Sequence, residues 1–204
     1  EWNDWKWQLA NRISSVDVLS RIIDIDDIQK KQIEDVGKLY AWGVSPYYTT
    51  LMDEHNPLCP IRLIAIPSIE ELEDESGTMD PMSEEFTNPA GTVTRRYPDR
   101  LIINVTNECG SYCRFCQRRR RIGCISDNYD KEKVNESINY VKENGEIRDV
   151  LVTGGDPFTL GDDELELILS SLRAIPHVEI IRIGTRLPVT VPMRITKNLC
   201  DMLK

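Results

Sequence analysis

The chain has 204 residues, 40% of them hydrophobic, with 34 acidic against 25 basic side chains and a net charge of −9. That is enough for one substantial core with a smaller element packed on it, and the negative balance opposes long-range attraction to phosphate backbones, which weighs against a nucleic-acid partner. No apolar run approaches the roughly 20 residues of a membrane span. The polar opening EWNDWKWQLANRI does not read as a signal peptide. Without a secretory signal, the six cysteines point to metal binding or reactivity in a reducing, cytoplasmic setting rather than to a disulfide scaffold. There is no initiator Met, and DMLK closes the chain inside a helical stretch, so a piece truncated at both ends is expected.

In chain order, residues 1–43 read as helical. Trp2, Trp5, Leu9 and Ile13 recur three or four apart, and Ile22, Ile25, Ile33, Val36 and Tyr40 continue with gaps. The tryptophans read most simply as a packing face. Asp24, Asp26 and Asp27 offer caps for a second helix, and Gly43 can end it. Pro46, Pro57 and Pro60 keep the next helices short. No Lys or Arg occurs between Arg62 and Arg95, and the stretch around 70–85 reads as a solvated acidic connector without chemistry.

From residue 101 the pattern changes. LIINV (101–105), DVLVTGG (149–155) and VEIIRIG (178–184) read as strands. Residues 130–144, 162–175 and 196–204 read as helices, the second opened by acidic residues suited to a helix N-terminus. The alternation predicts a parallel βα array, barrel-like or open. Ligands in such arrays sit beyond the carboxyl ends of the strands. There stand a cysteine loop, GGDPF and GTRLP. The expected division is a helical region with its acidic connector over 1–95 and three βα units over 96–204.

The loop CGSYCRFCQRRRR (109–121) holds Cys109, Cys113 and Cys116 in a C-x3-C-x2-C spacing, with five arginines among thirteen positions. A structural zinc site needs a fourth ligand and usually pairs two short hooks; Cys124 is nearby but has no paired partner. Three thiolates on one loop suit an iron–sulfur cluster with one iron left open. Zinc and coincidence remain the alternatives on spacing alone. GGD by itself reads equally as a strand-to-helix turn.

CGSYCRFC resembles the cluster loop of radical S-adenosylmethionine enzymes, with Phe115 at its aromatic position. EWNDWKWQLANRI, RRYPDRLIINVTNECGSYCRFCQRRRRIG, IRDVLVTGGDPF and IPHVEIIRIGTRLPVTVPMRIT together are similar to the lysine 2,3-aminomutase family, which also includes enzymes acting on glutamate and arginine. The likeness runs nearly end to end. It implies an N-terminal helical region followed by about half of a partial (β/α) TIM-like barrel, in an N-terminal piece of an isomerase.

The resemblance also implies ligands. Cys109, Cys113 and Cys116 would bind a four-iron four-sulfur cluster whose open iron takes S-adenosylmethionine. Gly154, Gly155 and Asp156 would meet its amino end, and Thr185 and Arg186 its ribose or carboxylate. Glycine lets backbone approach a ligand closely. Arg96 and Tyr97, with Arg100 near, would hold the phosphate of pyridoxal phosphate, and Arg118 the substrate α-carboxylate, since guanidinium suits both anions. For Arg114, Arg119, Arg120 and Arg121 a structural ion pair is the better reading. The family's pyridoxal lysine lies downstream of the third βα unit and has no match here, so this piece alone is expected to be inactive. The implied reaction moves the amino group of free lysine or glutamate from C2 to C3 through a 5′-deoxyadenosyl radical and a pyridoxal imine. The implied partners are an electron donor such as flavodoxin or ferredoxin and, at full length, other copies of the chain. A protein-lysine aminomutase acting on a translation factor and a non-catalytic zinc or iron–sulfur module are the alternatives.

Overall fold

A computed structural model describes residues 1–74, 76–123 and 130–204. Cys124, the nearby cysteine weighed as a zinc ligand, lies outside the described residues. Among the described residues the α-helices are α1 (Trp5–Ala10), α2 (Val16–Leu19), α3 (Asp27–Leu39), α4 (Pro46–Thr49), α5 (Pro60–Ala65), α6 (Glu70–Glu73), α7 (Lys131–Glu143), α8 (Asp162–Arg173), α9 (Leu187–Thr190) and α10 (Lys197–Met202). The strands are β1 (Val93–Thr94), β2 (Arg100–Thr106), β3 (Asp149–Gly154) and β4 (Ile180–Ile183). They fall into two compact units that interleave along the chain, so no single cut separates them: residues 1–81, 109–123 and 187–194 form one, and the remaining described residues the other.

The first unit is helical. Its core gathers Ile13, Val16, Leu19, Ile23, Ile33, Trp42, Val44 and Tyr48. Asp26 caps α3 in a full capping box with Gln29, which satisfies two otherwise orphaned N–H groups. The helix stops at Leu39 with Tyr40 extended, and Ile13 then bridges to Val44. The tryptophan stripe differs from expectation. Trp2 is 43% exposed against Trp7, and the fully buried residue of α1 is Gln8. Its amide donates to the Trp2 carbonyl at 2.9 Å and accepts from the Tyr47 N–H at 2.9 Å, so a satisfied polar side chain seats this helix.

The second unit is a four-stranded sheet in the order β1-β2-β3-β4. β2, β3 and β4 run parallel, and the helices α7 and α8 fall between them in sequence. Leu101, Ile103, Val105, Val150 and Val152 meet Val134, Val141, Ile168 and Leu172 in one core. β2 and β3 are buried almost throughout, as expected for strands covered on both faces. β4 lies at a sheet edge and is half exposed. The short β1 pairs antiparallel to β2, and its two residues were too few to read from the sequence. The βα alternation itself is as expected.

Candidate functional site

The cysteine loop is held in the helical unit from several directions. The Tyr112 N–H donates to the Gly43 carbonyl at 2.9 Å, and the Arg114 N–H to the Ile64 carbonyl at 2.8 Å. A Cβ on Gly110 would stand 2.9 Å from Thr190 Oγ1 and 3.0 Å from Val191, so the loop presses against the α9 segment where only hydrogen fits. Arg12 Nη1 donates to the Cys109 carbonyl at 2.5 Å while its guanidinium lies 5.2 Å from the Tyr112 ring centroid. Positions 110, 112 and 114 are thereby fixed. Cys109, Cys113 and Cys116 are half-buried and outside any disulfide, with the Cys116 N–H turning back to the Cys113 carbonyl at 3.1 Å.

Among the described residues, the exposed Asp24, Glu54 and His55 bring three possible ligand atoms within 4.8 Å of one another.

Acidic side chains of the connector engage the arginine run. Glu71 Oε1 accepts from Arg114 Nε at 2.8 Å, and Oε2 from Arg114 Nη2 at 2.7 Å and Arg119 Nη1 at 2.9 Å. Arg120 pairs with Asp80 at 3.0 Å, both side chains largely buried. Arg114, Arg119 and Arg120 are therefore structural, as their sequence context indicated. The connector is not wholly solvated, however. Glu70, Glu73 and Asp74 are exposed, whereas Glu71 and Asp80 are turned inward onto the arginines. Arg118 is half-buried, its carbonyl accepting from the Arg121 and Ile122 N–H groups. Phe115 is 70% exposed and, with Tyr40, Glu71, Cys116 and Arg119, lines a cavity of about 540 Å³.

In the sheet unit the two glycines after β3 have a structural reason. Gly154 has φ +119°, and a Cβ there would stand 2.5 Å from the Thr106 carbonyl oxygen. On Gly155 it would stand 2.3 Å from the Glu108 oxygen. What approaches so closely is the chain's own backbone: the Gly155 N–H donates to Thr106 O at 2.6 Å and the Asp156 N–H to Glu108 O at 2.7 Å. Asp156 is buried, and its carboxylate accepts from the Thr185 hydroxyl at 2.6 Å, the Arg186 N–H at 2.6 Å and the Phe158 N–H at 3.1 Å. The structure thus brings Gly154, Gly155, Asp156, Thr185 and Arg186 together at the carboxyl ends of β3 and β4.

Arg96, Tyr97 and Arg100 are exposed, with the Arg100 guanidinium 4.2 Å over the Tyr97 ring. They cluster at the amino end of β2, roughly 20 Å from its carboxyl end at about 3.3 Å per residue. The phosphate candidates are not brought to the glycine loop. Their neighbour Arg95 is structural, donating to Tyr140 Oη at 2.8 Å, Pro98 O at 2.7 Å and Glu146 at 2.7 Å. Sequence reasoning missed Arg12 and Glu71. Neither sits in a motif, and they meet their partners 97 and 43 residues away.

Residues 103–203 match the family model described as the Radical SAM superfamily. The chain belongs to that superfamily. Within it, the chain is 58% identical over its whole length to a glutamate 2,3-aminomutase of Clostridioides difficile, covering 48% of that protein. It is 42% identical to an L-lysine 2,3-aminomutase of Bacillus subtilis, covering 44% of it, and 40% identical to one of Clostridium subterminale, covering 49%. The chain spans about half the length of the curated relatives it matches. Among the described residues no helix is long and apolar enough to cross a membrane.

Proposed function

We propose that this chain is part of a cytoplasmic amino-acid 2,3-aminomutase that moves the α-amino group of a free amino acid to C3, with glutamate preferred to lysine as substrate. The observation that carries the reading is the cysteine loop: three thiols on a segment whose intervening residues are fixed by Arg12, Gly43, Ile64 and Glu71. The higher identity to the relative named for glutamate supports the substrate preference. When bound, the cluster with S-adenosylmethionine supplies radical hydrogen abstraction, and pyridoxal phosphate supplies a carrier for the migrating nitrogen.

This chain's residues then have distinct tasks. Cys109, Cys113 and Cys116 ligate the cluster, and Phe115 offers an exposed aromatic face beside Cys116. Gly154 and Gly155 shape the turn, and Asp156 with Thr185 and Arg186 forms the rigid wall that receives the polar end of S-adenosylmethionine. Arg118 holds the substrate carboxylate. Arg96 and Tyr97 hold the phosphate, with Arg100 beside them; their cations and solvent exposure suit an anion, and the pyridoxal lysine belongs to the remainder of the protein. A small one-electron donor of flavodoxin or ferredoxin type, and self-association at full length, complete the reading.

Anaerobic reconstitution of the intact protein tests it. The expected result is a brown iron–sulfur chromophore, reductive cleavage of S-adenosylmethionine to 5′-deoxyadenosine, and conversion of glutamate to its β-isomer. Serine at Cys109, Cys113 or Cys116 is expected to abolish all three. A colourless zinc-loaded protein, or a chromophore without cleavage, overturns the enzyme reading. Turnover only on a protein lysine overturns the substrate class.

A further inference from the structure

The loop that carries the three cysteines also carries charge, and Glu71 binds two of its arginines. Glu71 takes four donors: Arg114 Nε and Nη2, Arg119 Nη1, and the Ser68 N–H at 3.2 Å. Its side chain is 12% exposed and that of Arg114 8% exposed, so solvent screens this contact far less than a surface pair. Arg114 stands between Cys113 and Cys116, and Arg119 three residues beyond, its guanidinium 3.9 Å over the Tyr40 ring. The Glu71 backbone is itself fixed, its N–H donating to the Ser68 carbonyl at 3.1 Å.

We propose that Glu71 is a positioning residue for the cysteine loop, and that by binding Arg114 and Arg119 it sets both the loop's geometry and the net charge presented to the cluster. The proposal rests on reading the cysteines as cluster ligands. Within this triad, one carboxylate against two guanidiniums leaves one surplus positive charge. Cluster reduction potentials follow local net charge. Deleting the carboxylate raises that surplus, and deleting a guanidinium lowers it. The geometric role predicts a second effect: without its bidentate acceptor, Arg114 no longer pins the segment joining Cys113 to Cys116.

The test is a redox titration of the one-electron cluster couple, followed by electron paramagnetic resonance, in the intact reconstituted protein. Glu71→Gln keeps the size and one acceptor oxygen but removes the charge. Its midpoint is expected to rise, and its iron to pass to a chelator several-fold faster than in the parent. Arg119→Gln is expected to lower the midpoint. Opposite shifts are a signature that a merely structural brace does not produce. Shifts of the same sign, or midpoints and iron retention equal to the parent, overturn the proposal. Should Glu71→Gln not fold, Glu71→Asp, which keeps the charge and shortens the reach, is paired with Arg119→Gln. Faster iron loss in the first with a lowered midpoint in the second supports the proposal, and parent-like values in both overturn it. A parent protein that takes up no cluster sinks the cluster reading instead.

Discussion

The hydroxyl of Thr185 donates to Asp156 at 2.6 Å, tying the loop after β4 to the loop after β3. The carboxylate's other oxygen accepts the Arg186 N–H at the same distance, so one buried carboxylate ties the two loops together. Asp156→Asn replaces one acceptor oxygen by a donor facing a donor. It is expected to cost about 1–3 kcal/mol, against about 1 kcal/mol for Thr185→Val. Denaturant unfolding of the intact protein measures both, and equal, negligible losses contradict the shared-carboxylate account.

Gly155→Ala places a methyl carbon 2.3 Å from the Glu108 oxygen, which a flexible side chain cannot relieve because the obstacle is backbone. The strands must separate or the loop must move. A destabilisation above about 2 kcal/mol is expected, in line with other severe steric changes. Gly145→Ala is the control: nothing lies within 4 Å of its added carbon. It is expected to be neutral or stabilising by up to about 1 kcal/mol.

Arg12→Met removes the cation that holds the Cys109 carbonyl while keeping an apolar stem over Tyr112. The expected outcome is normal thermal unfolding of the rest of the helical unit with impaired cluster retention, read by iron content after desalting. Arg12→Lys is expected to restore retention only in part, since a compact ammonium cannot both donate and stack as a planar guanidinium does.

His55 Nδ1–H donates to Asp24 Oδ2 across 2.8 Å, and this hydrogen bond, reinforced by the negative charges of Asp24 and Glu54, raises the imidazole pKa above its ordinary 6.5. A raised folded-state value means that the stabilisation is fully present below the unfolded pKa and is lost as pH rises through the folded pKa. Asp24→Asn is expected to bring the imidazole titration, followed by NMR, back toward 6.5. An unchanged midpoint contradicts the pairing.

The elements legible in the sequence share a physical basis. Amphipathic periodicity marked α7 and α8, and runs of Val, Ile and Leu marked β2 to β4, because each depends on neighbours a few residues away. The C-x3-C-x2-C spacing was legible for the same reason, a loop motif being local. Of the three aspartates offered as caps, Asp26 is the one that caps α3. Trp2 and Gln8 went the other way: a tryptophan stripe suggested a buried face, but the position that other segments could enclose and satisfy was the glutamine.

By itself the sequence determined the βα alternation from residue 101 onward and the spacing of the thiol trio, since these depend on residue type and short-range spacing. Only the tertiary structure decided which charges face solvent and which are paired internally. It selected Glu71 and Asp80 from a run of similar acids, gave Arg95 to the scaffold and left Arg96 in solvent, and showed that Gly154 and Gly155 make room for the chain's own backbone. The reason is that burial and pairing arise between residues far apart in sequence, where composition carries no record of which partner arrives.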